Sequence, residues 1–191
     1  VKDGSEILVQ NLKRASELIS SFKQVAVDQT DDVYRKIILH DYLDEIITSM
    51  RPKFKMTSIN IENNVKADVE LFTKPGALYQ IISNLIDNSL IHGFNSSGSG
   101  SIMISSELSQ GELKLIYEDT GKGIEESIKA RIFDPFFTTQ RGNGGSGLGL
   151  NIVYNLINST LKGKVKVVNN ENHGARFEIF LQTNNVEVSD V

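Results

Sequence analysis

Two asparagines, Asn84 and Asn88, stand four residues apart near the middle of the sequence. Apolar residues recur around them at helical spacing, so both amides are expected on one face of a helix. Asparagine is a mediocre helix former, and an amide carbonyl is a suitable oxygen ligand for Mg²⁺ that is already bound to phosphates. The pair therefore indicates a metal and phosphate site; two polar side chains facing solvent are the alternative.

A carboxylate, Asp119, is expected where a strand ends, and it begins the run DTGKGI. A carboxylate in this place can accept a hydrogen bond from an exocyclic amine of a nucleobase. Gly121 and Gly123 lack side chains, so the backbone beside the carboxylate can lie close to a flat ring. The run predicts a base-recognition site, and a tight turn containing an aspartate is the alternative.

Residues 142–150 form a second glycine-rich run, GNGGSGLGL, that leads directly into a predicted helix. Free N–H groups at the start of a helix favour anions, so phosphate binding is a natural use for such a run. Residues 142–147 also fit G-x-G-x-x-G, but no strand immediately precedes them and no acidic residue lies about 20 positions on. No P-loop is present either. Phosphate binding and a flexible surface loop are the two remaining interpretations.

Three phenylalanines, Phe133, Phe136 and Phe137, lie between these glycine-rich segments. They are expected to form a minor core beneath a mobile lid. His40 and His92 are expected to be structural or exposed, because neither has a nearby set of partners that would favour a catalytic base.

The elements that must hold these groups alternate in blocks and not in a strict βαβ rhythm, which predicts an α+β fold. Apolar periodicity predicts helices over residues 41–53, 76–92 and 148–161. Strands are predicted over residues 56–61, 69–72, 101–107, 112–118, 164–169 and 176–182, with residues 62–64 as a turn.

Residues 4–27 show apolar positions at alternating spacings of four and three, which is a heptad pattern. The wide apolar stripe favours a helix of a four-helix bundle. A helix folded back on its own domain is the alternative. The polar residues 28–32 indicate a boundary.

Composition limits the other classes of function. The 191 residues carry a formal net charge of -4, with 39% hydrophobic and 23% charged residues. The negative charge argues against nucleic-acid binding. The absence of cysteine excludes disulfides, thiolate metal sites and cysteine nucleophiles. No apolar run approaches the roughly 18 to 20 residues that span a bilayer, so no membrane contact is expected from this chain.

The order of the motifs over residues 35–182 resembles one family closely, the GHKL ATPases, and within it the sensor histidine kinases. The family's N box is similar to residues 84–92, its first glycine box to residues 119–124, its F box to residues 133–137 and its second glycine box to residues 145–150. Each motif alone is modest. Four of them in this order and with these spacings are highly specific.

The resemblance implies a Bergerat-type fold, a two-layer α/β sandwich in which a mixed sheet packs on three helices, preceded by a long bundle helix. It implies ATP and Mg²⁺ as cofactors and residues 138–147 as a lid. Asp119 would recognise the adenine amine, and Asn88 (bound to Mg²⁺) and Asn84 (at the metal or phosphates) would be the catalytic residues. The other nucleotide-binding residues implied are Gly121, Gly123, Ile124, Phe137, Arg141, Gly145, Ser146, Gly147, Leu148 and Gly149.

Several departures from the family pattern concern the nucleotide pocket. The third glycine box normally has threonine after glycine, and here Ala175 follows Gly174. A water-bridged contact to adenine is therefore expected to be lost. Many members also carry lysine where Gln140 stands and a basic residue where Ile91 stands. We expect the phosphate contacts to shift to Arg141.

The resemblance also implies a domain organisation. Residues 1–30 resemble the second helix of a dimerisation bundle, whose preceding helix would carry the phosphoacceptor histidine and is missing here. Residues 31–184 would form the catalytic ATP-binding domain and residues 185–191 a tail. The implied partners are the acceptor helix, a response regulator and a second copy of the chain joined through the bundle helix. The expected location is cytoplasmic, including the cytoplasmic part of a membrane-bound sensor.

Chemistry separates the kinase from the hydrolytic members of the family. Hydrolytic relatives carry a glutamate four residues before the metal-binding asparagine, and this chain has Asn84 there. An amide cannot act as a general base at neutral pH, so transfer to an acceptor is favoured over hydrolysis. A serine kinase of the anti-sigma-factor type and a nucleotide-binding interaction module without catalysis are the alternatives.

Overall fold

The fold was taken from a computed structural model that describes residues 33–94, 98–139, 146–169 and 174–183. The predicted bundle helix of residues 1–30 and the tail of residues 185–191 lie outside the described residues.

A five-stranded mixed sheet forms one layer of the domain. Its strand order is β2-β4-β5-β7-β6, with β2 parallel to β4 and every other pair antiparallel. β1 and β3 form a separate antiparallel pair. The strands are β1 (Arg35–Ile38), β2 (Ser58–Asn64), β3 (Glu70–Thr73), β4 (Ser99–Ser109), β5 (Glu112–Asp119), β6 (Lys164–Asn169) and β7 (Ala175–Gln182).

Helices form the second layer. They are α1 (Leu39–Phe54), α2 (Pro75–Asn88), the short α3 (Glu126–Lys129) and α4 (Gly149–Asn155). α2 begins with a proline, which suits the first turn of a helix because its missing N–H would have no partner there. π-helical turns extend α2 over Ser89–Gly93 and α4 over Leu156–Thr160.

The hydrophobic core lies between the two layers. Side chains alternate along β5 and β7, so that Leu113 and Leu115 of β5 and Phe177 and Ile179 of β7 are buried. The apolar stripe of α2, which includes Leu85, packs in the same cluster. The observed α+β sandwich of a mixed sheet and three main helices confirms the predicted fold.

The local predictions are confirmed for the three main helices and for the β4–β5 hairpin. Residues 62–64 were predicted as a turn, and that prediction is wrong: they continue β2, with Glu62 opposite Met103 and Asn64 opposite Ser105 of β4. Pairing with β4 therefore outweighs the low strand propensity of asparagine. β1 and α3 were not predicted. Within the described residues, none of the helices is both long and apolar enough to cross a membrane.

Candidate functional site

A cavity of about 510 Å³ opens between α2, the segment after β5 and the start of α4. Residues from all four predicted motifs line it together, although they are far apart in the sequence. The sequence-predicted residues that line it are Asn84, Asn88, Asp119, Gly123, Ile124, Phe137, Ser146, Gly147 and Gly149.

The two asparagines lie on the cavity side of α2, where the backbone of α4 approaches them. Asn84 donates its amide hydrogen to the Gln80 carbonyl oxygen at 2.8 Å, and this bond fixes the orientation of the amide. A Cβ atom on Gly149 would lie 3.2 Å from Oδ1 of Asn84 and 3.4 Å from Nδ2 of Asn88. Glycine at position 149 therefore lets the start of α4 lie directly against both amides.

Asn88 carries an unpaired polar atom. Its Nδ2 is buried and has no hydrogen-bond partner among the described residues. Buried polar groups are nearly always paired, so such an atom beside a cavity indicates a ligand. A 180° rotation of the amide would present its oxygen at the same place, and amide oxygens are ligands that Mg²⁺ accepts. The donor set of Asn84 and Asn88 therefore fits a Mg²⁺-bound phosphate group.

Asp119 ends β5 and is buried, with its carboxylate at the cavity wall. Its Oδ1 accepts hydrogen bonds from the backbone N–H groups of Gly121 at 2.9 Å and Ala175 at 3.1 Å. Its Oδ2 accepts a hydrogen bond from the Ser89 hydroxyl at 2.6 Å. These three donors hold the carboxylate in a single orientation.

Gly121 and Leu148 do not line the cavity, and their contribution is to the backbone around it. Gly121 donates to Asp119, and a Cβ atom at this position would lie 2.7 Å from backbone atoms of Gly93. Leu148 is buried and stands just before α4. Arg141 and Gly145, which were also predicted as nucleotide-binding residues, lie outside the described residues, as does Gln140.

His92, which was expected to be structural or exposed, is half-buried and lines the cavity. Burial, and then the positive charge of Lys122, lower its pKa from the ordinary value of 6.5. Its Nδ1 lies 3.4 Å from the hydroxyl of Thr139, which also lines the cavity. Its position four residues after Asn88 was a usable signal, because that spacing repeats the face of the helix. Lys122 also lines the cavity, and its positive charge favours an anionic ligand.

The phenylalanines divide into different roles. Phe133 packs against Tyr154, with ring centroids 5.3 Å apart, and Phe137 lines the cavity. Phe136 is exposed and has a positive φ of 64°. A Cβ atom on Gly147 would lie 2.6 Å from the backbone of Phe136, and φ at Gly147 is 71°, so both steric room and backbone conformation require glycine there.

Known proteins share sequence and structure with this chain. The sequence profile described as "Histidine kinase-, DNA gyrase B-, and HSP90-like ATPase" matches residues 73–185. The chain is 38% identical over 137 residues, 66% of its length, to the autoinducer 2 sensor kinase/phosphatase LuxQ of Vibrio harveyi, and covers 15% of that protein. It is 32% identical over 187 residues, 92% of its length, to the sensor histidine kinase AtsR of Burkholderia thailandensis, and covers 29% of that protein.

Solved structures agree with the sequence comparison. The catalytic domain of the histidine kinase ThkA superimposes with a TM-score of 0.69 and 26% identity, over 79% of this chain and 96% of that domain. ThkA in complex with the response regulator protein TrrA matches with a TM-score of 0.69 and 22% identity, over 90% of this chain and 49% of that one. The chain spans less than a third of the length of LuxQ or AtsR. It belongs to the family of histidine kinase-, DNA gyrase B- and HSP90-like ATPases, with the fold of a histidine kinase catalytic domain.

Proposed function

We propose that this chain is the catalytic ATP-binding part of a two-component sensor histidine kinase. It binds Mg²⁺-ATP in the cavity and presents the γ-phosphate to a histidine on another helix of the intact protein. An imidazole nitrogen forms a bond to the γ-phosphorus while the bond from that phosphorus to the β–γ bridging oxygen breaks, and ADP leaves. The phosphoryl group then passes to an aspartate of a response regulator.

The amide at position 84, one helical turn before Asn88, carries the choice of transfer over hydrolysis. Position 84 holds an amide, which cannot take a proton from water at neutral pH. Asp87 also lines the cavity, but both of its oxygens lie 2.7 Å from the ammonium group of Lys53. Asp119 already accepts three hydrogen bonds. Phosphoryl transfer needs mainly positioning and charge neutralisation, which fits this arrangement.

Each proposed residue has a defined part in holding the nucleotide. Asp119 accepts a hydrogen bond from the adenine amine, and Asn88 with Asn84 holds Mg²⁺ against the phosphates. The other proposed contacts to the base and the phosphates come from Gly121, Gly123, Ile124, Phe137, Arg141, Gly145, Ser146, Gly147, Leu148 and Gly149.

The proposal extends to the intact protein. Residues 1–30 would dimerise with a second copy as part of a bundle, and the catalytic domain would work in the cytoplasm. The complex of ThkA with the response regulator TrrA supports a regulator as the downstream partner.

Labelled ATP tests the transfer reaction. The chain alone should bind Mg²⁺-ATP in calorimetry and remain unlabelled by γ-labelled ATP. A fragment of the intact protein that carries the acceptor helix should become labelled when the chain is added, and the label should be labile in acid. Acid-stable label on serine would instead indicate the serine kinase, and ATP binding without any label would indicate the interaction module.

Calorimetry on two aspartate variants tests the metal site. Asn88→Asp removes the Nδ2 donor and adds negative charge beside the triphosphate, so Mg²⁺-ATP affinity should fall by about tenfold or more. Asn64→Asp makes the same charge change on β2, away from the cavity, and should leave the isotherm unchanged. An unaltered isotherm for Asn88→Asp would remove Asn88 from the site. Unchanged affinity and labelling in Arg141→Ala would likewise remove Arg141.

A further inference from the structure

A chain of buried hydroxyl groups lies behind the carboxylate of Asp119. The Tyr117 hydroxyl is 2.8 Å from the Ser89 hydroxyl, which in turn is 2.6 Å from Oδ2 of Asp119. Tyr117 is completely buried, and Ser89 and Asp119 are each only 3% exposed. Burying two hydroxyl groups is costly unless they hydrogen-bond, and phenylalanine and alanine would fill nearly the same space. Their presence together behind the Asp119 carboxylate therefore requires an explanation.

The hydrogen bonds that link Tyr117, Ser89 and Asp119 can run in one direction only. An ionised carboxylate only accepts, so Ser89 must donate its hydrogen to Asp119. The Ser89 oxygen is then free to accept a hydrogen from Tyr117. Burial, assisted by the negative charge of Asp119, raises the pKa of Tyr117 well above its ordinary value, although the hydrogen bond to Ser89 opposes this. The phenol stays protonated and remains a donor.

The number of hydrogen-bond donors around Asp119 determines which ligand groups its carboxylate can bind. A carboxylate has about four acceptor positions. Ser89 occupies one on Oδ2, and the N–H groups of Gly121 and Ala175 occupy two on Oδ1. The carboxylate also borders the cavity. A ligand group that donates one hydrogen bond completes the set, whereas a ligand group that accepts meets an acceptor.

We propose that Ser89 and Tyr117 are positioning residues that give the cavity its selectivity for a 6-amino over a 6-oxo purine. This inference rests on the proposed binding of a nucleotide triphosphate in the cavity. Ser89 keeps the remaining acceptor position of Asp119 aimed at the amine of the base. Tyr117 keeps Ser89 from turning its hydrogen away, because its own hydrogen occupies the Ser89 oxygen.

Three nucleotides that differ at carbon 6 of the purine test the proposal, and inosine triphosphate differs also in carrying a hydrogen on N1. ATP carries a donor there, purine riboside triphosphate carries only hydrogen, and inosine triphosphate carries an acceptor. With Mg²⁺ and the complete 191-residue chain, calorimetry should rank them in that order of affinity. In Ser89→Ala the preference for ATP over inosine triphosphate should fall about tenfold, the scale of one charge-assisted hydrogen bond. Tyr117→Phe should act in the same direction and less strongly.

Purine riboside triphosphate separates positioning from general damage to the cavity. Its affinity should be unchanged in both variants, because it has no group at carbon 6 that can hydrogen-bond to Asp119. Two control variants remove a matched hydroxyl elsewhere. Ser83→Ala removes a hydroxyl of α2 that bonds to the Gln80 carbonyl oxygen, and Tyr42→Phe removes one that bonds to the Pro75 carbonyl oxygen. Both controls should keep the wild-type preference.

Each contrary outcome is distinguishable. If wild-type chain binds none of the three nucleotides, both the proposed function and this inference fail. If wild type prefers ATP and Ser89→Ala keeps the same preference, only the inference fails. Equal weakening of all three nucleotides would show a structural role and would also overturn it. Should Ser89→Ala not fold, as judged by circular dichroism, the preference of Tyr117→Phe decides the question.

Discussion

A Cβ atom at position 174 would lie 1.5 Å from the backbone carbonyl oxygen of Asp119, so Gly174 and Asp119 pass each other at a distance that only glycine permits. This contact lies where β5 ends and just before β7 begins. The same approach brings the N–H of Ala175 within 3.1 Å of the Asp119 carboxylate. Gly174 thus supports the fold and the orientation of the carboxylate together.

Gly174→Ala should therefore destabilise the domain strongly. The clash is with backbone atoms, which cannot move aside as a flexible side chain can. We expect a loss of roughly 2 kcal/mol or more in the free energy of unfolding. Urea denaturation followed by circular dichroism measures it. A change of less than about 0.5 kcal/mol, the range of ordinary surface substitutions, would show that the two segments can separate at little cost.

Gly149→Ala should weaken nucleotide binding and leave the free energy of unfolding undiminished, unlike Gly174→Ala. Alanine is the better helix former by about 1 kcal/mol, and Gly149 lies in the first turn of α4. The added Cβ would press on the Asn84 and Asn88 amides at 3.2 and 3.4 Å. Calorimetry should show Mg²⁺-ATP affinity reduced by about tenfold.

Gly76→Ala is the matched control, since Gly76 lies in the first turn of α2 and does not line the cavity. Its affinity should equal that of wild type. Undiminished affinity in Gly149→Ala would mean that the amides are not where the nucleotide binds.

His92 should make stability depend on pH. Its folded pKa is below 6.5, first because of burial and then because of Lys122. Between the two pKa values the unfolded chain binds more protons, so stability falls as pH drops below about 6.5 and is level with respect to this group above it. His92→Gln should flatten that part of the profile. Urea unfolding from about pH 5 to about pH 8 measures it.

Lys122→Met offers an independent check on the cause. Removing the neighbouring charge should reduce the pH dependence only in part, because burial is the larger cause. A profile in His92→Gln with the same slope as wild type would show that another group titrates in this range.

Glu178, on the outward face of β7, should contribute to stability above its own titration range. Its Oε1 lies 2.9 Å from a guanidinium nitrogen of Arg176 and 3.2 Å from the ammonium of Lys114. Burial alone would raise the pKa of Glu178, but the hydrogen bonds from Arg176 and Lys114 outweigh it and the pKa is lowered from 4.5. The stabilisation is therefore present above about pH 4.5 and is lost as pH falls through the lower, folded value.

Glu178→Gln should accordingly lower the free energy of unfolding near pH 7 by on the order of 1 kcal/mol. The difference from wild type should shrink on acidification. Glu45→Gln, on the exposed face of α1, is the control and should have little effect on the free energy of unfolding, both near neutral pH and in acid. A constant difference across the acid range would contradict the ion-pair explanation.

The main helices and the β4–β5 hairpin were predictable because their signals are local. The stripe of α2 repeats at helical spacing, and a Gln110-Gly111 turn joins two alternating strands. β2 was predicted too short because its last residues depend on pairing with β4, about forty residues away. Long-range pairing leaves no mark on the spacing within a segment.

The residues of the candidate site also fall into those that the sequence predicts and those that it does not. Asn84, Asn88 and Asp119 could be identified because they lie in motifs with recognisable spacing. The contact of Ser89 with Tyr117 and Asp119 could not, since it joins residues about thirty positions apart that no local pattern links. The contacts of His92 with Lys122 and Thr139 could not be predicted either, because those two residues come from other segments.

The central place of β5 in the sheet has a consequence for hydrogen exchange. β5 is bonded to β4 on one side and to β7 on the other, so its amides should exchange chiefly through global unfolding. Asp119 ends this strand, and the base-recognition end of the cavity is thus anchored in the slowest-exchanging part of the domain. Base preference should therefore change through single side-chain substitutions beside β5. Movement of the β5 backbone should not change it.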